Sequence, residues 1–142
     1  KLRQLGRKQP GAIIAISPWT DLTLSGESHI SKAECDPSLT NAWLDKQAKM
    51  YASDVRDPFV SPIFADLHGL AQSMIFVGED EILLDDSVKM FQKLTESGCI
   101  SSLTVRKDMW HAYILFGVKE AEEDLHALSA LISEVTGGIS QT

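Results

Sequence analysis

The chain has 142 residues, with 13 Lys and Arg against 20 Asp and Glu, a formal net charge of −7, and 44% hydrophobic residues. That length and composition point to one folded domain with a core and exclude a disordered chain. The acidic balance excludes a general nucleic-acid binder, and no apolar run approaches the roughly 18 residues that span a bilayer. Cys35 and Cys99 stand in unrelated settings, too few and too scattered for a disulfide framework or a zinc site, so a cytoplasmic protein is expected. The sequence opens Lys1-Leu2-Arg3 with nothing resembling a signal peptide, which leads us to expect that something preceding it has been removed.

Residues 1–10 are basic and polar and end in the turn signal Gln9-Pro10-Gly11. Ala12-Ile13-Ile14-Ala15-Ile16 follows, a short apolar run rich in β-branched residues and bounded by Ser17-Pro18. It predicts a strand buried on both faces, as in parallel sheets. Residues 19–70 are too long for a plain connection and form an insertion. Within it, Asp36-Pro37-Ser38 predicts the start of a helix running to Met50-Tyr51, while Asp57-Pro58 and Ser61-Pro62 predict an extended, turn-rich stretch. Met74-Ile75-Phe76-Val77, closed by Gly78, predicts a second strand.

Asp85 or Asp86 then serves as an expected N-cap for a helix whose apolar positions are Val88, Met90, Phe91 and Leu94, with Gly98 as its stop. Ser102-Leu103-Thr104-Val105 predicts a third strand. A last helix is expected from Val118 to Val135, with acidic first turns and Gly137-Gly138 as its terminator. Strand, insertion, strand, helix, strand, helix is an α/β order with right-handed crossovers expected.

Four histidines are present. His126 lies in the last predicted helix, where partial exposure is expected. His29 and His68 sit in polar segments and are expected at the surface. His111 differs, because it follows the third strand within Lys107-Asp108-Met109-Trp110-His111. A histidine there is held by a rigid strand yet reaches the crevice beyond the strand ends. It reads either as a catalytic base or as a loop residue packed between Trp110 and Tyr113.

After the second strand, Gly78 to Asp86 packs five acidic residues into nine positions around the apolar Ile82-Leu83-Leu84. For Glu79, Asp85 and Asp86 the expected role is helix capping in a solvated turn. Asp80 or Glu81 could instead bond one imidazole nitrogen and steady the imidazolium. A carboxylate after one strand and a histidine after the next supply two members of a catalytic triad, in the order acid then histidine. The serine of an α/β-hydrolase precedes both on a Gly-x-Ser-x-Gly turn. Ser25, Ser97 and Ser140 lack those glycines, and no glycine-rich oxyanion loop is present, so the sequence offers no nucleophile.

Ser17-Pro18-Trp19-Thr20-Asp21-Leu22-Thr23 through Ser28, Asp57-Pro58-Phe59-Val60-Ser61-Pro62, Asp66-Leu67-His68-Gly69-Leu70, Glu81-Ile82-Leu83-Leu84-Asp85-Asp86 and Asp108-Met109-Trp110-His111 together resemble the carboxyl-terminal half of bacterial hormone-sensitive-lipase-family esterases. The resemblance covers nearly the whole chain, and the motifs keep the family's order. It implies a partial α/β-hydrolase fold: the last three parallel strands, flanking helices and a long insertion after the first strand, all within residues 1–142 as one portion of a single domain. It also implies a carboxylic ester hydrolase in which Glu81 orients His111, with Asp80 as the alternative acid because many relatives carry Asp at that position.

The family's cap, oxyanion glycines and serine turn precede the matched region, and Leu70-Ala71-Gln72 stands where relatives tend to have prolines. No cofactor and no metal are expected. The expected partners are a small ester, met through the full-length parent, and either a second copy or the missing amino-terminal half. Nucleic acid and a membrane span are not expected. A non-catalytic partner module with the same fold is the competing expectation. Trp19 and the residues near Trp43 could line an acyl pocket, although core packing is the simpler role for both tryptophans.

Overall fold

The computed structural model describes residues 1–137. Three parallel strands form the sheet: β1 (Ala12–Ile16), β2 (Gln72–Gly78) and β3 (Ser101–Arg106), in that spatial order. β2 is therefore central. Its register sets Ile16 beside Phe76 and Val77 beside Val105, which brings the carboxyl ends of β1, β2 and β3 level. Between β1 and β2 lie two helices, α1 (Ser28–Ser31) and α2 (Asn41–Tyr51); α3 (Leu84–Glu96) joins β2 to β3, and α4 (Glu122–Thr136) follows β3.

Alternation along the strands sorts side chains onto two faces. Ala15, Ile75 and Leu103 meet Met90 and Leu94 of α3, together with Leu67 from the insertion. Ile14, Ile16, Met74 and Phe76 point the other way, against Met109, Tyr113 and Leu128 of the segment after β3. Burying Phe76 or Ile75, each 1% exposed, contributes about 2–3 kcal/mol apiece. A third cluster of Leu44, Ile82 and Leu83 anchors α2 to the turn after β2.

Four local expectations need correction. All five residues of β1 are only half-buried, not buried on both faces. Among the described residues, β2 pairs with one edge of β1 and no strand pairs with the other, so β1 is an edge strand. The helix expected from Asp36-Pro37-Ser38 begins instead at Asn41. There the Asp36 carboxylate accepts the backbone N–H groups of Ser38 and Leu39, closing a local turn, and Thr40 caps the helix. Neither Asp85 nor Asp86 caps α3: the cap position is Leu83, and both aspartates lie in the first turn, where the helix dipole favours them. Finally, Val118 is extended and a short 3₁₀ turn precedes α4, so that helix starts at Glu122. Gly137 adopts the left-handed conformation that ends α4, while Gly138 lies outside the described residues.

Candidate active site

The turn after β2 and the loop after β3 are laced together by main chain. Glu79 N donates to Arg106 O at 2.9 Å, and Asp80 N to Met109 O at 2.9 Å. Gly78 makes this approach feasible: a Cβ there would stand 2.3 Å from Met109 O and 2.8 Å from Trp110 O. No other residue fits without moving backbone.

This lacing sets Glu81 opposite His111. Glu81 is fully buried, and its Oε2 lies 2.8 Å from His111 Nδ1. Its second oxygen, Oε1, accepts from the Ser17 hydroxyl at 2.7 Å and from Gly78 N at 2.6 Å. Each carboxylate oxygen is thus committed, and Nδ1 must carry the proton that reaches Oε2. In the neutral imidazole, Nε2 then holds a free lone pair. The His111 side chain is 27% exposed, so the ring spans buried acid and solvent.

Asp80, the other candidate acid, is not brought to the imidazole. Its carboxylate takes Lys32 Nζ at 3.1 Å and is 36% exposed. Ser25 bonds the Asp21 carboxylate, Ser97 ends α3, and Ser140 lies outside the described residues. Ser17 is near the pair, but its hydroxyl sits on the acid's side, is buried, and is taken up by Glu81 and Ala112 N. It is not placed to attack an ester. Among the described residues no group of three His, Cys, Asp or Glu could hold a metal ion.

A second carboxylate–imidazole pair stands beside the first. His29, expected at the surface, is buried at 3% exposure. Its Nδ1 lies 2.9 Å from Asn41 Oδ1, and its Nε2 lies 3.4 Å from Asp86 Oδ2. Asn41 is oriented by the bond from its amide nitrogen to His29 O, so its oxygen faces the ring and Nδ1 must donate. A neutral ring would then turn the Nε2 lone pair toward a carboxylate. A charged ring resolves the conflict. Burial alone pushes this imidazole down, but the close Asp86 carboxylate, the bond to Asn41 and the Asp21 charge outweigh it and hold it above its ordinary 6.5.

Asp86 is no solvated cap either. It is 2% exposed, and its Oδ1 accepts from Thr20 N and Asp21 N, each at 2.8 Å. Asp85 Oδ2 accepts from Ser28 N, and Ser28 Oγ donates to Ile82 O. The acidic turn is therefore the anchor of the insertion. The polar identity of Ser17 at the end of an apolar run was the available sequence signal, but nothing in the spacing joined Ser17 to Glu81 and Ala112, 64 and 95 positions away, or His29 to Asp86.

His68 is exposed and bonded to Asp66, and His126 is exposed on α4, both as expected. Trp19 packs against the Leu44, Ile82 and Leu83 cluster. Trp43 does not join a core: it is 50% exposed and rims a shallow cavity with Trp19, Tyr51 and Val60.

Residues 1–115 match the family model described as alpha/beta hydrolase fold. An acetyl-hydrolase of Streptomyces hygroscopicus is 31% identical over 96% of this chain and 47% of its own length. An esterase of Acinetobacter venetianus is 34% identical over 82% of this chain and 39% of its own. Among solved structures, an esterase from the bacterial hormone-sensitive lipase family superposes with a TM-score of 0.85 at 30% identity, covering 98% of this chain and 47% of that one. An esterase/lipase from an uncultured bacterium gives 0.87 at 33% identity, covering 96% and 47%. The chain spans less than half the length of each of these relatives.

Proposed function

The chain belongs to the α/β-hydrolase fold family, and on that premise we propose that it supplies the acid and the histidine of a serine carboxylesterase, Glu81 and His111, toward a serine elsewhere in the full-length protein. The observation that carries this reading is the 2.8 Å bond from His111 Nδ1 to a fully buried Glu81, with the His111 side chain still 27% exposed. The esterase and acetyl-hydrolase names of its relatives support the choice of a carboxylic ester as substrate.

In this mechanism the serine hydroxyl attacks the ester carbonyl carbon while His111 Nε2 takes its proton. Glu81 holds the ring in the Nδ1–H tautomer and steadies the imidazolium that results. Collapse of the tetrahedral intermediate breaks the C–O bond to the alcohol, which leaves with the proton from Nε2. A water, deprotonated by the same nitrogen, then cleaves the acyl-enzyme and regenerates the serine.

Residues 1–142 in this reading are one portion of a single hydrolase domain. Support comes from the free edge of β1 and from an apolar cavity of about 210 Å³ lined by Ile13, Ala15, Leu67, Ile75 and Met90 beside it. An edge strand with apolar neighbours seeks a partner strand. The remaining half of the domain or a second copy would provide it. No helix among the described residues is long and apolar enough to cross a membrane. The free thiol of exposed Cys35 suits a cytoplasmic protein.

The test is hydrolysis of p-nitrophenyl acetate by the full-length protein, together with labelling by an organophosphate. Activity and stoichiometric serine labelling, both lost in His111→Gln, are expected. A parent with neither turnover nor labelling would overturn the reading in favour of a non-catalytic module, and equal turnover in His111→Gln would remove the histidine from the mechanism.

A further inference from the structure

We propose that Ser17 is a positioning residue of this site, acting on catalysis through Glu81 and the histidine loop without touching substrate. The proposal rests on the esterase reading above and names a member of the site outside the acid and the histidine.

Ser17 follows β1 directly, and its backbone N–H extends the parallel ladder by donating to Phe76 O at 2.7 Å. Its φ of 45° is a conformation that residues other than glycine seldom adopt. That turn lifts the side chain off the sheet and toward the ends of β2 and β3. There the hydroxyl makes two bonds with defined directions. Ala112 N can only donate, so Ser17 Oγ accepts from it at 2.9 Å, and the hydroxyl proton is left to go to Glu81 Oε1 at 2.7 Å.

One buried hydroxyl therefore joins three segments: the end of β1, the acid after β2, and the residue that follows His111. The span is 64 positions to Glu81 and 95 to Ala112. Ala112 itself has a φ of 56°, so the loop just past the histidine is held in a strained turn. The Ser17–Ala112 bond is what anchors that turn from outside its own loop.

The consequence is specific. Glu81 Oε2 can aim at Nδ1 only while Oε1 is held, and Oε1 is held by Ser17 and Gly78 N. Removing the hydroxyl leaves Oε1 held by Gly78 N alone and leaves the half-buried Ala112 N without its acceptor. Both changes loosen the imidazole relative to the crevice. Substrate binding is not altered, because the hydroxyl faces the protein interior.

Ser17→Gly and Ser17→Ala in the full-length enzyme test this together. They share the loss of the hydroxyl and differ in backbone preference, since glycine accepts a positive φ freely. Both should lower kcat for p-nitrophenyl acetate by about 10- to 100-fold with KM within about twofold of the parent. The low-field proton signal of His111 Nδ1–H, sharp in the parent, should broaden or move in both. If Ser17→Gly keeps the parental kcat and only Ser17→Ala loses it, the effect is one of backbone strain and the proposal is overturned. If both keep kcat while Glu81→Gln loses it, the proposal is overturned and the esterase reading stands. If Glu81→Gln keeps kcat as well, the esterase reading falls and the proposal falls with it.

Discussion

Glu81 and Asp86 lie five residues apart around the start of α3, and each faces an imidazole, yet the two pairs are built for opposite ends. In the Glu81–His111 pair only the acid is buried; one ring nitrogen is bonded and the ring remains 27% exposed. In the Asp86–His29 pair both partners are sealed, at 1% and 3% exposure, and the ring is held at one nitrogen by an amide and faces a carboxylate with the other. A histidine that must exchange protons with a substrate needs one free nitrogen. A histidine that fastens an insertion to a helix does better with none. In the function proposed above, the same two residue types yield a base in one place and a clamp in the other, and solvent access to the second nitrogen decides which.

The largest effect should separate the pairs by activity. His111→Gln should lower kcat of the full-length enzyme about 10³- to 10⁴-fold, while His29→Gln, assayed where it remains folded, should stay within about tenfold of the parent. Comparable losses in the two variants would erase the distinction.

Stability should separate them the other way. Asp86→Ala strips the carboxylate from a buried imidazole and from the backbone N–H groups of Thr20 and Asp21. Urea unfolding should show a loss of about 3–5 kcal/mol. A loss under about 1 kcal/mol would mean that the clamp is dispensable.

Gly78→Ala probes the lacing on which the first pair depends. A methyl 2.3 Å from Met109 O forces backbone apart, so about 1–3 kcal/mol of stability should go, and kcat should fall with it. Unchanged kcat would show that Glu81 and His111 do not need that contact.

The smallest effect is one of pH. His29 binds its proton more tightly folded than unfolded, so between the two values the native state holds more protons and stability falls as pH rises. The clamp is fully present below about pH 6.5 and weakens as pH climbs through the folded value above it. His29→Gln should flatten that slope in urea titrations run from pH 6 upward. A parent whose stability rises over the same window would contradict a charged His29.

Much of this architecture was legible in the sequence. The three apolar runs and their Gly and Pro boundaries located the strands to within a residue or two, because hydrophobic periodicity acts locally. The position of His111 after a strand, and of an acid after the strand before it, followed from where parallel sheets place their crevices. The motif resemblance favoured Glu81, and the structure puts that residue, not Asp80, on the imidazole.

Other features depended on partners far along the chain. Asp86 looks like a cap because capping is the local option for an aspartate before a helix. Its true partners, Thr20, Asp21 and His29, stand more than 50 positions upstream. Ser17 looks like the end of a strand for the same reason. Asp36 misplaced the start of α2 because its carboxylate, which also accepts from Ile82 N, closes a turn where a helix was expected. Long-range hydrogen bonds of buried polar groups leave no periodic trace.

The most direct test of Glu81 as the acid partner of His111 is kcat for p-nitrophenyl acetate in Glu81→Gln and Asp80→Asn, measured side by side in the full-length enzyme. Glu81→Gln should fall by about 10³-fold or more, while Asp80→Asn, which loses only a half-buried pairing with Lys32, should stay within about threefold of the parent. The reverse ranking would move the acid to Asp80 and contradict the site described above.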